Sequence, residues 1–370
     1  MMYSPEIDFI LKASRFHLEE EEKKSISTAA MLMDEKEMLD ISRKQGLHAI
    51  INKSLYLNEL TDVLSEETKT MIRKSHIRYT VKNERKFAFL QGLPDIIGDF
   101  VVLKGGQILP DVYDDTGIRL MSDIDIFVPE DRAIDAYNAL KNNGFKDHEE
   151  IAPGSYKSKR LIDLSLRHGY ANHLPALDLG DIMVEIHCRL YGRSSTRIDE
   201  DAYRLSVPKS GKEQRIRYLS PEYNLVFLCK HFFEHGANRK FYQLIDIREF
   251  ILKYEPQIDW DKVDEIAKAT KLTEAVSYTL NILNQHFGAR IEDRYIDRRP
   301  IDINEMLKND VSRNKKEKVK DIFSKMKYPW VFAVVFFSEA FPSPKWLKRK
   351  YGENTLRSYL IYLRNWFKDR

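Results

Sequence analysis

Cysteine is scarce in this chain. Cys188 and Cys229 are the two among 370 residues, and neither falls in a Cys-x-x-Cys or mixed Cys/His spacing. That argues against a structural zinc site. It fits a reducing compartment, so a cytoplasmic location is expected. A long apolar run is also missing. The most apolar stretch, Trp330–Ala340 (WVFAVVFFSEA), contains Glu339 and is far short of the ~20 residues a spanning helix needs. The opening residues, MMYSPEIDFILKASRF, carry acids and lack the basic-then-apolar layout of a secretory leader. Net charge is nearly absent as well. Sixty basic residues against 57 acidic give +3, so nucleic acid is not indicated by overall charge. No fixed-period repeat or low-complexity tract is visible.

What is present is enough apolar content, 43%, for a sizeable core, and a length suited to roughly two or three domains. Residues 1–95 read as helical. Ser4 caps ahead of Pro5. Two longer stretches, EKEMLDISRKQGLHAIINKSL and SEETKTMIRKSHIRYTVKNERKFAFLQGL, carry apolar residues at three- and four-residue spacing. From residue 96 to about 205 the pattern becomes α/β. GDFVVLKGG reads as a strand ending in a glycine turn, and SDIDIFVP as a strand stopped by Pro129. EDRAIDAYNALKNNGF reads as a helix ended by Gly144, and DLSLRHGYANHLPAL and DIMVEIHCRLYG as further strands. Residues 206–370 read as a second helical region that opens with Ser220 and Pro221. The expected class is therefore α+β, a small mixed sheet flanked by helical regions. The tail Pro344–Arg370 holds eight Lys or Arg and two acids. It reads as an amphipathic helix packing on the body, or as a surface for RNA or anions.

The chemistry concentrates in SDIDIF. Asp123 and Asp125 lie two residues apart on a strand, so they share a face. Two carboxylates there repel and lose hydration, unless a cation sits between them. Few hard oxygen ligands suit Mg²⁺ held together with substrate phosphates. A third acid is then expected on a neighbouring strand, and MVEIHCRL supplies Glu185, with His187 on the same face. Without a cation the three carboxylates would repel, so neutralising one is expected to stabilise the metal-free protein. Upstream, Gly105 and Gly106 can approach a phosphate closely because they lack Cβ. Lys104 and Arg119 can neutralise phosphate charge.

The order strand, Gly-Gly, helix, strand with Asp-x-Asp, helix, strand with Glu resembles the DNA polymerase β-like nucleotidyltransferase superfamily. More closely, it is similar to a bacterial group of uncharacterised nucleotidyltransferases. LKGG and IRLMSDIDIFV match that group's Lys-Gly, Arg and Ser-Asp-Ile-Asp run. MVEIHCRL matches its later strand, with Glu185 where Asp is commoner. SPEYNLVFLCKHFFEHG, QLIDIREFI and FPSPKWLKRKYG resemble its helical and C-terminal segments. Gly106 precedes Asp123 by seventeen positions, a longer gap than is usual in the superfamily, as in aminoglycoside- and lincosamide-type enzymes. The resemblance implies Mg²⁺, or Mn²⁺, at Asp123, Asp125 and Glu185. It implies an NTP, ATP first, held by Lys104, Gly105, Gly106, Arg119 and Ser122. It implies an acceptor cleft faced by His187, His231 and Asp246. The alternative for His231 and Asp246 is that they pair to hold two helices together. Two other function classes remain: a glycosyltransferase whose Asp-x-Asp binds a nucleotide-sugar, and a non-catalytic nucleotide-binding protein.

Overall fold

Local sequence sets the N-terminal helices. In the computed structural model, which describes residues 3–148, 172–192, 195–209, 214–235, 239–289, 291–296, 301, 303, 356 and 358–361, Ser4 caps α1 (Pro5–Ala13) by accepting from the Ile7 amide. Helix α2 (Glu20–Leu32) follows. The first of the two long periodic stretches is not one helix. It divides into α3 (Glu35–Lys44) and α4 (His48–Leu57). Gly46 stands between them at φ +73°, in the left-handed region that glycine reaches without steric cost. The second stretch is a single helix, α5 (Glu66–Gly92), capped by Ser65. A short turn, α6 (Pro94–Ile97), leads into the sheet.

Among the described residues, seven strands form one mixed sheet in the order β3-β4-β5-β2-β1-β7-β6. They are β1 (Phe100–Val102), β2 (Ile124–Phe127), β3 (Lys146–Asp147), β4 (Leu177–Leu179), β5 (Ile182–His187), β6 (Val207–Pro208) and β7 (Ile216–Tyr218). The sheet thus continues past residue 205, where a helical region was expected to begin. Strand β2 lies at the centre, antiparallel to β1 and parallel to β5. Every residue of β1 and β2 is buried. Helix α7 (Lys104–Ile108) and a wider helical turn (Leu109–Tyr113) connect β1 towards β2. Helix α8 (Glu130–Asn142) follows β2 and ends before Gly144, at φ +91°. Of the segment DLSLRHGYANHLPAL, residues 163–171 lie outside the described residues.

After α9 (Thr196–Arg204) and the last two strands come α10 (Pro221–Glu234), α11 (Phe241–Tyr254), α12 (Trp260–Thr270) and α13 (Thr273–Phe287). Ser220 and Pro221 open α10 as expected. The buried apolar residues form one cluster that runs from Phe9 through β1 and β2 to Phe287 and Ile303. The stretch Trp330–Ala340 lies outside the described residues, as does the basic tail except residues 356 and 358–361. No described helix is long and apolar enough to cross a membrane.

Candidate active site

Alternation along β2 puts Ile124 and Ile126 on one face and Asp125 and Phe127 on the other. The parallel register sets Asp125 beside Glu185 and Phe127 beside His187. Asp125, Glu185 and His187 therefore share a sheet face for reasons of register alone. His187 Nε2 lies 2.8 Å from Asp125 Oδ1 and 3.1 Å from Glu185 Oε2. His173 Nδ1 lies 3.0 Å from the other oxygen, Glu185 Oε1. Lys104 Nζ donates to the same Asp125 Oδ1 at 2.7 Å. Lys104 itself is at φ +48°, a left-handed conformation that carries strain in a residue with a Cβ.

These contacts set the protonation states. Burial pushes the Asp125 carboxyl up, but Lys104 and His187 outweigh it and hold it well below the usual range. Burial also opposes ionisation of Glu185, yet His187 and His173 hold it down. Asp123 goes the other way. Burial and the neighbouring Asp125 charge raise it, and Lys104 only partly offsets them. Burial works against the charged forms of Lys104 and His187, but the surrounding carboxylates raise both. The expected three-way repulsion is therefore not what the site contains. The Lys104 ammonium and the His187 and His173 rings outweigh the carboxylates' mutual repulsion at Asp125 and Glu185, and of the three only Asp123 is left disfavoured.

Lys104, Gly105, Arg119, Ser122, Asp123, Asp125, His231 and Asp246 all line one cleft, together with Met121, Leu228, His235, Tyr242, Gln243 and Ile247. Gly106, Glu185 and His187 stand outside its lining. Ser122 is committed to Asp123, to which its hydroxyl donates at 2.7 Å. The two glycines differ. A Cβ on Gly105 would come 3.1 Å from the Arg119 guanidinium, whereas one on Gly106 would come 2.4 Å from the Val102 side chain. Gly105 leaves room for Arg119 in the cleft, and Gly106 lets α7 seat against β1.

Asp246 and His231 do not pair with each other. Asp246 accepts from Arg119 Nε at 2.7 Å and from the Tyr113 hydroxyl at 2.9 Å. The Arg119 guanidinium lies 4.7 Å from the centre of the Tyr242 ring. Burial raises Asp246, against the pull of Arg119 and Tyr113. His231 instead meets His235, Nε2 to Nε2 at 3.0 Å. Helix α5 braces the loop that carries Arg119 and SDID. Asn83 donates to the Thr116 and Arg119 carbonyls and accepts from the Met121 amide, and Lys86 donates to the Met121 carbonyl.

Sequence reasoning missed His173, His235, Tyr242, Asn83 and Lys86. His235 was readable, because it follows His231 by four residues on a helix. His173 joins the site through an isolated bridge to His187, which leaves no periodic trace. Asn83 and Lys86 look like ordinary polar positions of a long helix.

The donor set suits a divalent cation. Ligand atoms of Asp125, Glu185 and His187 all lie within 4.8 Å of one another. Lys104 and His187 both address Oδ1 of Asp125, so the cations already present share one oxygen of that carboxylate. The chain matches a family model described as uncharacterised nucleotidyltransferase over residues 32–288. That span runs from the end of α2 through α13 and includes every cleft residue. No curated protein and no solved structure matches the chain.

Proposed function

The chain belongs to the uncharacterised nucleotidyltransferase family, and from that premise we propose that it transfers NMP from an NTP to an acceptor hydroxyl, with Mg²⁺ at Asp123 and Asp125 and with Glu185 as the base or, failing that, a third ligand. ATP is the first donor to try, Mn²⁺ the alternative cation, and a small molecule, a protein or an RNA end the acceptor. The observation that carries this reading is the pair of carboxylates at the mouth of β2, lining one cleft with Lys104, Gly105 and Arg119. When bound, the divalent cation would supply charge neutralisation for the triphosphate and its leaving group.

The chain's own residues supply position and charge. Asp123 and Asp125 would hold the cation, and the His187 ring, in its neutral form, would offer a nitrogen donor beside Asp125. Lys104 and Arg119 place positive charge along the phosphates, and Gly105 keeps that approach open. The acceptor oxygen bonds to the α-phosphorus as the α–β anhydride breaks, and pyrophosphate leaves with the bonding electrons. The acceptor's proton passes to Glu185, which its two histidine neighbours keep ionised. If Glu185 is instead a ligand, Glu185→Gln loses NTP binding as well as turnover.

The test is pyrophosphate release from each of the four NTPs with Mg²⁺ and a cell extract, together with transfer of label from the donor. Wild type should release pyrophosphate and label one fraction. Asp123→Asn and Asp125→Asn should each abolish both. Release of UDP from a sugar nucleotide would establish glycosyl transfer instead. Nucleotide binding with neither product would leave a non-catalytic protein. The helical character of residues 5–97 weighs against glycosyl transfer, because the nucleotide-binding half such enzymes need has no strands to be built from there.

A further inference from the structure

The charged groups of the cleft are largely committed to one another. Lys104 is paired with Asp125, and Arg119 with Asp246. Two cations face three carboxylates, Asp123, Asp125 and Asp246. A triphosphate carries about four negative charges, more than one divalent cation and this lining balance. The remaining groups on the cleft wall that can gain positive charge are His231 and His235. The one hydrogen bond of their rings among the described residues is to each other, 3.0 Å between Nε2 atoms. The His231 ring is held in place, stacked on Phe227 at 18°, and Phe227 in turn meets His187 edge-on.

We propose that His231 and His235 act as one unit that holds the phosphates of the nucleoside triphosphate. This deepens the nucleotidyl-transfer reading and rests on it for the identity of the anion. In the Nε2–Nε2 contact one nitrogen donates and the other accepts, so the pair shares a single proton there. When a phosphate oxygen arrives, the accepting nitrogen takes up a proton and both N–H groups donate to the anion.

The surroundings favour such a switch. Lys104, Asp125 and His187 face His231. Lys104, Asp125, Glu234 and Arg239 face His235. Desolvation and Lys104 both work against a positive charge on the two imidazoles, and an arriving anion offsets that. Triphosphate binding then takes up a proton, and affinity falls as pH rises.

The experiment is titration calorimetry with inorganic tripolyphosphate, and with each NTP plus Mg²⁺, in two buffers of different ionisation heat from pH 6 to 9 (a range set by the imidazole pKa, roughly 6.5). Wild type should take up a proton on binding. His235→Asn should bind about tenfold more weakly, the scale of one charged hydrogen bond, and take up no proton. His235→Lys should keep the affinity and lose its pH dependence. His231→Asn should behave as His235→Asn, with its melting temperature recorded because the ring packs on Phe227. Wild-type affinity for tripolyphosphate in His235→Asn would overturn the proposal, as would a wild type that binds no tripolyphosphate. If the histidine variants keep the wild-type KM and pH profile while wild type releases pyrophosphate, this role fails and nucleotidyl transfer stands. If the binding signatures hold but no NTP yields pyrophosphate, the transfer reading fails and the anion site stands.

Discussion

Asp123 and Asp125 look equivalent in sequence and are not equivalent in the fold. Asp125 is buried and meets two cations at one oxygen. Removing its charge strands the Lys104 ammonium and takes an acceptor from His187, and losing one partner of a buried pair costs on the order of 3 kcal/mol. Asp123 accepts from the Ser122 hydroxyl and is drawn by Lys104, but burial and the repulsion of Asp125 outweigh both. Metal-free Asp125→Asn should therefore melt below wild type, and Asp123→Asn at or above it. The pH dependence follows the same logic. A carboxyl raised in the folded state favours folding at low pH, and that advantage is lost as pH rises through its folded pKa. The margin of Asp123→Asn over wild type should widen on going from acid to neutral pH. Thermal melts of the two variants in EDTA across that range check both signs. A higher melting point for Asp125→Asn would show that repulsion, not ion pairing, governs that position.

Between elements, the fit of α7 against β1 depends on glycine. The sequence suggested a tight turn after the strand, with both glycines facing phosphate. Instead both lie in the first turn of α7, where successive residues point in different directions. A methyl on Gly106 runs into the fully buried Val102, and overpacking of that kind typically costs about 1–3 kcal/mol. A methyl on Gly105 comes less close, 3.1 Å from the Arg119 guanidinium and 3.2 Å from the Met121 side chain, both in the cleft. Gly106→Ala should lower the denaturant midpoint with little change in the KM for NTP. Gly105→Ala should leave the midpoint nearly unchanged and raise that KM. Urea melts paired with initial rates separate the two, and equal effects on both quantities would mean that the helix moves as a body.

At the scale of the whole chain, the three regions read from composition share one core. Phe9, Ile10 and Leu11 of α1 are buried in the same cluster as β1, β2 and α13. Tyr3 bonds His286, and the Arg15 carbonyl accepts from Ser54. Helix α5 holds the loop of the candidate site, and α10 and α11 close its cleft. Regions that share a core and a site should unfold together. Calorimetry should give a single transition whose van't Hoff enthalpy approaches the calorimetric value. Two resolved transitions would restore independent units, with boundaries near residues 95 and 205.

Sequence alone determined the local grammar. Ser4, Ser65 and Ser220 mark helix starts, and Gly144 marks a stop, because caps and positive φ angles are decided by one or two residues. It also marked Asp123 and Asp125 as neighbours at the start of a strand, where both line the cleft although Asp123 precedes β2, and the family run around SDIDIF was readable as a motif. Tertiary structure decided the rest. The parallel register of β2 and β5, which joins residues about sixty positions apart, brought Glu185 and His187 to Asp125. The partners of Asp246 lie on the connection between β1 and β2, and no spacing along the chain encodes them. The sheet took its last strands from beyond residue 205, because three-residue and two-residue strands are too short to show a period. Above all, the ion pairing of Asp125 was decided in three dimensions. Whether a carboxylate is strained or satisfied depends on which cations the fold places within ~3 Å of it, and Lys104 and His187 reach it from two other elements.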